Sequence, residues 1–253
     1  MSDLVLVARH GSTAVVTLNQ PAKRNVLSAP LVRAIGVAFD EVEADPTVNA
    51  VVLTGNGPAF CAGAELSTLR AAANGEFDSV REVYDGFLRV LRSPLPTIAA
   101  VNGPAVGAGF NLALACDIRL AGRNAVFDTR FAKLHLHPGG GHTWLLARIV
   151  GQQQAMLASL FGEVWNAERS LAVGLVAGLY YDNELMREAL ALGHRLEGQE
   201  PELVRRFVGS LRRTLSGTHA EALAHETTAQ QWSTTRPAFL DGVAAIEAQV
   251  AKK

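Results

Sequence analysis

The chain changes character near residue 184. Before that point short apolar runs alternate with stretches of helical periodicity, and after it every segment is helical. Leu4 to Arg9, Ala14 to Leu18, Val48 to Thr54, Thr97 to Val101, Ile118 to Ala121 and Leu175 to Tyr181 read as strands, with Ala125 to Phe127 a shorter one. The valine-rich run at 48–54 suits a strand buried on both faces. Ser28 can cap a helix to Ala44 whose stripe is Leu31, Ile35, Phe39 and Val42. Helical spacing continues at 76–92, 110–116, 142–150, 152–161 and 167–173, the last capped by Asn166. The all-helical remainder divides into 184–197, 201–214, 218–232 and 237–250. Strands mixed with helices, then helices alone, predict an α/β core with a helical C-terminal part.

Composition narrows the function classes. Of 253 residues, 49% are hydrophobic and 19% charged, enough to bury a large core and to exclude wholesale disorder. The net charge is −1 with no block of Lys and Arg, which argues against a nucleic-acid partner. The nearest approach to a membrane span, Ile98 to Ile118, is interrupted by Asn102, Pro104, Asn111, Asp117 and several glycines. The first residues lack the basic and apolar regions of a secretory signal, so a cytoplasmic protein is expected. Cys61 and Cys116 are too few for a disulfide scaffold and form no CxxC pair.

Two glycine-rich stretches, 54–66 and 101–112, each follow an apolar strand and lead into a helix. Small residues there let a ligand approach the main chain, and free N–H groups at a helix start attract developing negative charge. Two such groups converging on one oxygen would make an oxyanion hole. Each stretch alone also reads as a tight turn. Neither has the Gly-Lys-Ser/Thr of a phosphate-binding loop, and no GxGxxG follows the first strand.

Together with Pro21 to Ser28, Pro138 to Thr143 and Ala172 to Val176, these stretches resemble the enoyl-CoA hydratase/isomerase (crotonase) superfamily, in matching order over nearly the whole chain. The resemblance implies a spiral of ββα units as an acyl-CoA-binding core over 1–195, and a helical region at 196–253 that trimerises. The assembly would be a homotrimer or a dimer of trimers. It implies a coenzyme A thioester as ligand, with no separate cofactor and no metal. The main-chain N–H groups of Ala64 and Ala108 would hold the thioester oxygen. Ala62 and the loop from Lys23 through Arg24 to Val26 would line the CoA channel. Lys23 and Arg24 are either phosphate partners or ordinary solvated charges.

One departure bears on the reaction. Hydratases of this superfamily use two glutamates, and their positions fall at Asn111 and Phe131. Asn can orient water but has no usable pKa, and Phe can do neither. Substitutes nearby are Asp128, which also reads as a helix N-cap, and His135 and His137, which would point the same way in an extended segment. Glu65 follows the expected oxyanion donor and suits the first turn of the next helix. His142 opens a helix and reads as structural, Cys61 as a packing residue, and Trp144 and Phe131 as core or as walls of an acyl pocket. Three classes of function compete: an acyl-CoA enzyme with a rearranged acid/base set, a non-catalytic acyl-CoA-binding protein, and a structural oligomer.

Overall fold

In the computed structural model, residues 4–250 are described. The chain divides between Glu197 and Gly198 into two compact units. The first opens with the hairpin β1 (Val5–His10) and β2 (Thr13–Leu18), then α1 (Ala29–Ala44) and β3 (Ala50–Gly55). Next come α2 (Leu66–Ala73), α3 (Asp78–Leu91), β4 (Thr97–Val101), β5 (Pro104–Val106), α4 (Ala108–Leu114), β6 (Ile118–Gly122) and β7 (Val126–Asp128). It ends with α5 (His142–Ser159), β8 (Trp165–Asn166), α6 (Ala167–Ala172), β9 (Gly178–Tyr180) and α7 (Leu185–His194).

Six strands form one sheet in the order β1-β2-β3-β4-β6-β9. Only its first pair is antiparallel; the others are parallel. Three short strands form a second sheet, β5-β7-β8. The chain alternates between the two sheets, so that β4 passes into β5 and β6 into β7. β3 and β4 are buried along their whole lengths, because helices cover both faces. On one face Leu53, Ala99 and Val101 join Leu31, Ile35 and Phe39 of α1 and Phe87 of α3. On the other, Val52, Ile98 and Leu120 meet Leu185 and Ala189 of α7.

The helix starts follow their caps. Ser28 accepts from Leu31 N before α1, and Asn166 accepts from Arg169 N before α6. The two helices expected on either side of Gly151 form one run, interrupted where Gly151 takes φ 80°. The helix expected from Phe110 starts at Ala108, and the last strand shortens to Gly178–Tyr180. β5 and β8 were not expected, since two or three residues are too few to show a period.

Arg119 on β6 is a buried strut. Its Nε donates to Leu175 O at 2.8 Å and its Nη1 to Cys116 O at 2.6 Å. Burial lowers its pKa from the ordinary guanidinium value. Arg119→Met is expected to lower the unfolding free energy by about 3 kcal/mol, because two buried carbonyls lose charged donors. Urea unfolding reads this directly; a loss below about 1 kcal/mol would show that the carbonyls find other partners.

The second unit consists of α8 (Pro201–Arg213), α9 (His219–Thr234) and α10 (Pro237–Val250). A capping box closes the start of α9, where Thr218 and Glu221 satisfy each other's backbone N–H. Phe207, Leu211, Leu223, Leu240 and Ile246 are exposed on these helices. Among the described residues no helix is long and apolar enough to cross a membrane.

Candidate active site

Three loop segments meet where β3 and β4 end. Asn25 holds two of them together. It is fully buried in the left-handed region (φ 55°), which Asn tolerates better than most residues. Its Oδ1 accepts from Gln20 N at 2.8 Å, and its Nδ2 donates to Ala59 O at 2.9 Å. From there the 24–27 and 62–64 segments run side by side: Ala62 N donates to Arg24 O at 2.9 Å and Leu27 N to Gly63 O at 2.7 Å. Nothing in the one-dimensional pattern pointed to Asn25, because its role is to join loops distant in sequence.

The third segment is the β5–α4 turn. Cys61 N donates to Pro104 O at 3.1 Å, and Val106 N to Cys61 O at 3.0 Å. Two glycines permit this approach. A Cβ on Gly109 would overlap the Cys61 carbonyl, and one on Gly63 would lie 2.8 Å from Val106 O and 3.9 Å from Ala108 N. The residue after Gly63 is Ala64, so the Ala64 and Ala108 amides lie in adjoining turns of chain. Ala108 is the first residue of α4, where N–H groups have no intrahelical acceptor.

A groove of about 900 Å³ opens beside these turns. Arg24, Val26, Ala62 and Ala64 line it, together with Asp128 and Arg130. Lys23 is exposed and reaches Glu65 at 3.3 Å. Glu65 is the residue before α2 and caps no N–H with its side chain.

Asp128 is not a helix cap. It ends β7, and its carboxylate accepts from Arg130 N at 2.8 Å and pairs with the Arg130 guanidinium at 2.8 Å. Strand pairing with Pro104–Val106 takes the backbone that the cap reading had assigned to a helix. His135 and His137 are both exposed; His137 Nδ1 contacts Pro138 O at 2.7 Å. His135 closes a 3-10 turn with φ 53°, so the segment is not the extended one that would align the two rings. Trp144 lies outside the core, 43% exposed and stacked with Arg148. Cys61 is buried and its thiol is pushed up to about 12 by desolvation, which leaves it a packing residue.

Asn111 has a partner that the sequence reading had set aside. It is buried on α4, one turn beyond Ala108. Its Nδ2 donates to Gly139 O at 3.1 Å, which turns Oδ1 toward His142 Nδ1 at 2.6 Å. The imidazole is 1% exposed, and its Nε2 is buried without a hydrogen-bond partner. Phe131 meets the ring edge-on at a centroid distance of 5.1 Å, and Phe110 at 5.7 Å. Burial pushes the His142 pKa down to about 4. The ring therefore contacts both positions, Asn111 and Phe131, that the resemblance aligns with carboxylates. The signal was the Pro-Gly-Gly-Gly turn before His142, which carries its backbone to Asn111.

Comparison with known proteins agrees with this architecture. The family model "Enoyl-CoA hydratase/isomerase" matches residues 8–248. The probable enoyl-CoA hydratase EchA14 of Mycobacterium tuberculosis is 44% identical over 225 residues, 88% of this chain and 87% of that protein. The 1,2-epoxyphenylacetyl-CoA isomerase of Escherichia coli is 35% identical over 204 residues, 79% of this chain and 78% of that protein. Among solved structures, an enoyl-CoA hydratase subunit from Geobacillus kaustophilus superimposes with a TM-score of 0.90 at 27% identity, covering 97% of this chain and 95% of that one. With the fold, the order of motifs and nearly the whole length in agreement, the chain belongs to the enoyl-CoA hydratase/isomerase family and has the crotonase fold.

Proposed function

We propose that the protein binds acyl-CoA thioesters in the groove beside Ala64 and acts on the acyl group with an acid/base set unlike that of the hydratases. The observation that carries this is the close approach of the 61–64 segment to the β5–α4 turn at Gly63 and Gly109, beside a groove lined by Arg24, Val26, Ala62 and Ala64, which supports Ala64 and Ala108 as the two donors. Two N–H groups on one thioester oxygen stabilise the enolate that forms when a proton leaves the α-carbon or a nucleophile adds at the β-carbon. Arg24, on the groove wall, supplies positive charge for the CoA phosphates, whereas Arg130 is already paired with Asp128. The chemistry of the relatives, enoyl-CoA hydration and acyl-CoA isomerisation, supports a fatty acyl-CoA or related acyl-CoA substrate. The division at 195/196 and a homotrimer or dimer of trimers belong to the same reading; the exposed apolar side chains of α8 to α10 support it.

A second reading, a non-catalytic acyl-CoA-binding protein, rests on one observation: neither Asn111 nor Phe131 is a carboxylic acid. Incubation with short- and long-chain trans-2-enoyl-CoAs, followed by mass spectrometry, tests hydration. A gain of one water shows hydration without the two glutamates. Unchanged mass, with no isomer on chromatography and tight binding in calorimetry, favours the binding protein.

A further inference from the structure

We propose that His142 is the base that moves a carbon-bound proton of the acyl group, with Asn111 as its positioning residue. This rests on the reading above, in which the thioester oxygen is held by Ala64 and Ala108. Three observations carry it.

The first is the tautomer. Asn111 Nδ2 is committed to Gly139 O, so Oδ1 is the atom facing the imidazole. An oxygen acceptor at 2.6 Å places the proton on Nδ1 and leaves the Nε2 lone pair free. A base held by an orienting group through its other nitrogen is the arrangement that general-base catalysis requires.

The second is the orphaned Nε2. It is fully buried and has no hydrogen-bond partner, and the rings of Phe110 and Phe131 pack edge-on against the imidazole that carries it. A histidine kept only for packing would lose stability from such an unpaired atom, and an apolar ring would fill the space without that cost. The unpaired atom is accounted for if its partner is a substrate.

The third is position. Ala108 and Asn111 stand three residues apart on α4 and so share a helix face, about 4.5 Å apart along the axis. The imidazole bonded to Asn111 is thus one side chain away from the turn that supplies the Ala108 amide. An acyl chain reaches Nε2 by displacing the half-buried Phe131 ring, which sits at the start of a 3-10 turn rather than within a sheet.

The apolar surroundings select the reaction. Among the described residues Nε2 has no hydrogen-bond partner, and the Phe110 and Phe131 rings pack against the imidazole, surroundings that suit proton transfer between carbons better than water activation. A C–H bond of the acyl group breaks and its proton passes to Nε2. The electron pair forms an enolate whose charge lies on the thioester oxygen. The imidazolium then returns the proton to the other end of the resulting dienolate, to the γ-carbon if it left the α-carbon and to the α-carbon if it left the γ-carbon, and the double bond moves by one position. Substrate and product have the same formula, so no co-reactant is needed. Burial lowers the basicity of the imidazole, which keeps Nε2 unprotonated and able to accept a proton.

The test uses β,γ-unsaturated acyl-CoAs in D2O, with isomerisation followed by chromatography and deuterium uptake by mass spectrometry. Calorimetry measures binding of the same compounds. The wild-type protein is expected to incorporate deuterium and shift the double bond. His142→Gln is expected to slow both by about 10²- to 10⁴-fold while the Kd changes by less than about threefold. Exchange at the wild-type rate in His142→Gln, or binding without exchange in the wild type, overturns the proposal. Absence of acyl-CoA binding by the wild type overturns the functional reading itself, which calorimetry separates from loss of the base.

Should His142→Gln fail to fold, Asn111→Asp decides. Among the described residues the hydrogen-bond and aromatic-ring contacts of the imidazole are to Asn111, Phe110 and Phe131, none of them titratable. A carboxylate at position 111 would face Nδ1 where the amide oxygen now does, and it favours the imidazolium. The acid limb of the exchange-rate profile is expected to move up by about one pH unit or more. An unmoved limb overturns Asn111 as the positioning residue and His142 as the base.

Discussion

Replacing Gly109 by alanine is expected to destabilise the protein by about 3 kcal/mol and to weaken acyl-CoA binding by more than about tenfold. The added methyl group would overlap the Cys61 carbonyl, which is backbone and already accepts from Val106 N. No side chain can rotate aside. Either α4 moves away from the 61–63 segment, or Cys61 releases its bond to Val106. Both outcomes pull apart the turns that carry Ala64 and Ala108. Gly36→Ala is the matched control, since it lies within α1 and a Cβ there meets nothing within 4 Å. That change is expected to raise stability by about 0.5–1 kcal/mol, as the alanine propensity of an open helix site predicts. Urea unfolding with calorimetry on both variants checks the pair. Equal behaviour of Gly109→Ala and Gly36→Ala would show that the close approach is not what holds the two turns together.

Acid is expected to destabilise the fold through His142, over a window set by two pKa values. In the unfolded chain the imidazole has its ordinary value near 6.5, and burial in the fold depresses it to about 4. Between these values the unfolded state binds more protons than the native state, so stability rises with pH. The contribution is fully present above about pH 6.5 and is lost as pH falls toward 4. Between pH 7.5 and pH 5 the loss is about 2 kcal/mol, on the order of 3 kcal/mol when complete. His142→Gln should flatten that slope. Denaturant unfolding at the two pH values measures it, and an equal slope in both proteins would show that His142 is not protonated on unfolding.

Much of the fold was legible in the sequence because it depends on local patterns. The valine-rich run at 48–54 had to be buried on both faces, and it became β3 beneath helices on either side. Ser28 and Asn166 capped the helices that their positions predicted. The site was legible only in part. Val26, Ala62 and Ala64, which the resemblance had singled out for a CoA channel, line one groove. Asp128 read as a cap because Asp-Thr-Arg-Phe is a good local signal, but β5, too short to recognise, claimed its backbone for a sheet. His135 and His137 drew attention as a neighbouring pair, while the structure leaves both exposed.

Most of the elements, their order and the family follow from caps, apolar periods and glycine turns, which act over a few residues, whereas the two- and three-residue strands β8 and β5 carry no such local signal. Which polar groups meet was decided by the tertiary structure. Asn25 joins loops 34 residues apart, and Asn111 meets His142 across 31 residues, contacts that no local period encodes. Burial decided the rest. The same imidazole would titrate near neutrality in water, and the apolar enclosure of Phe110 and Phe131 keeps it neutral with one nitrogen unpaired.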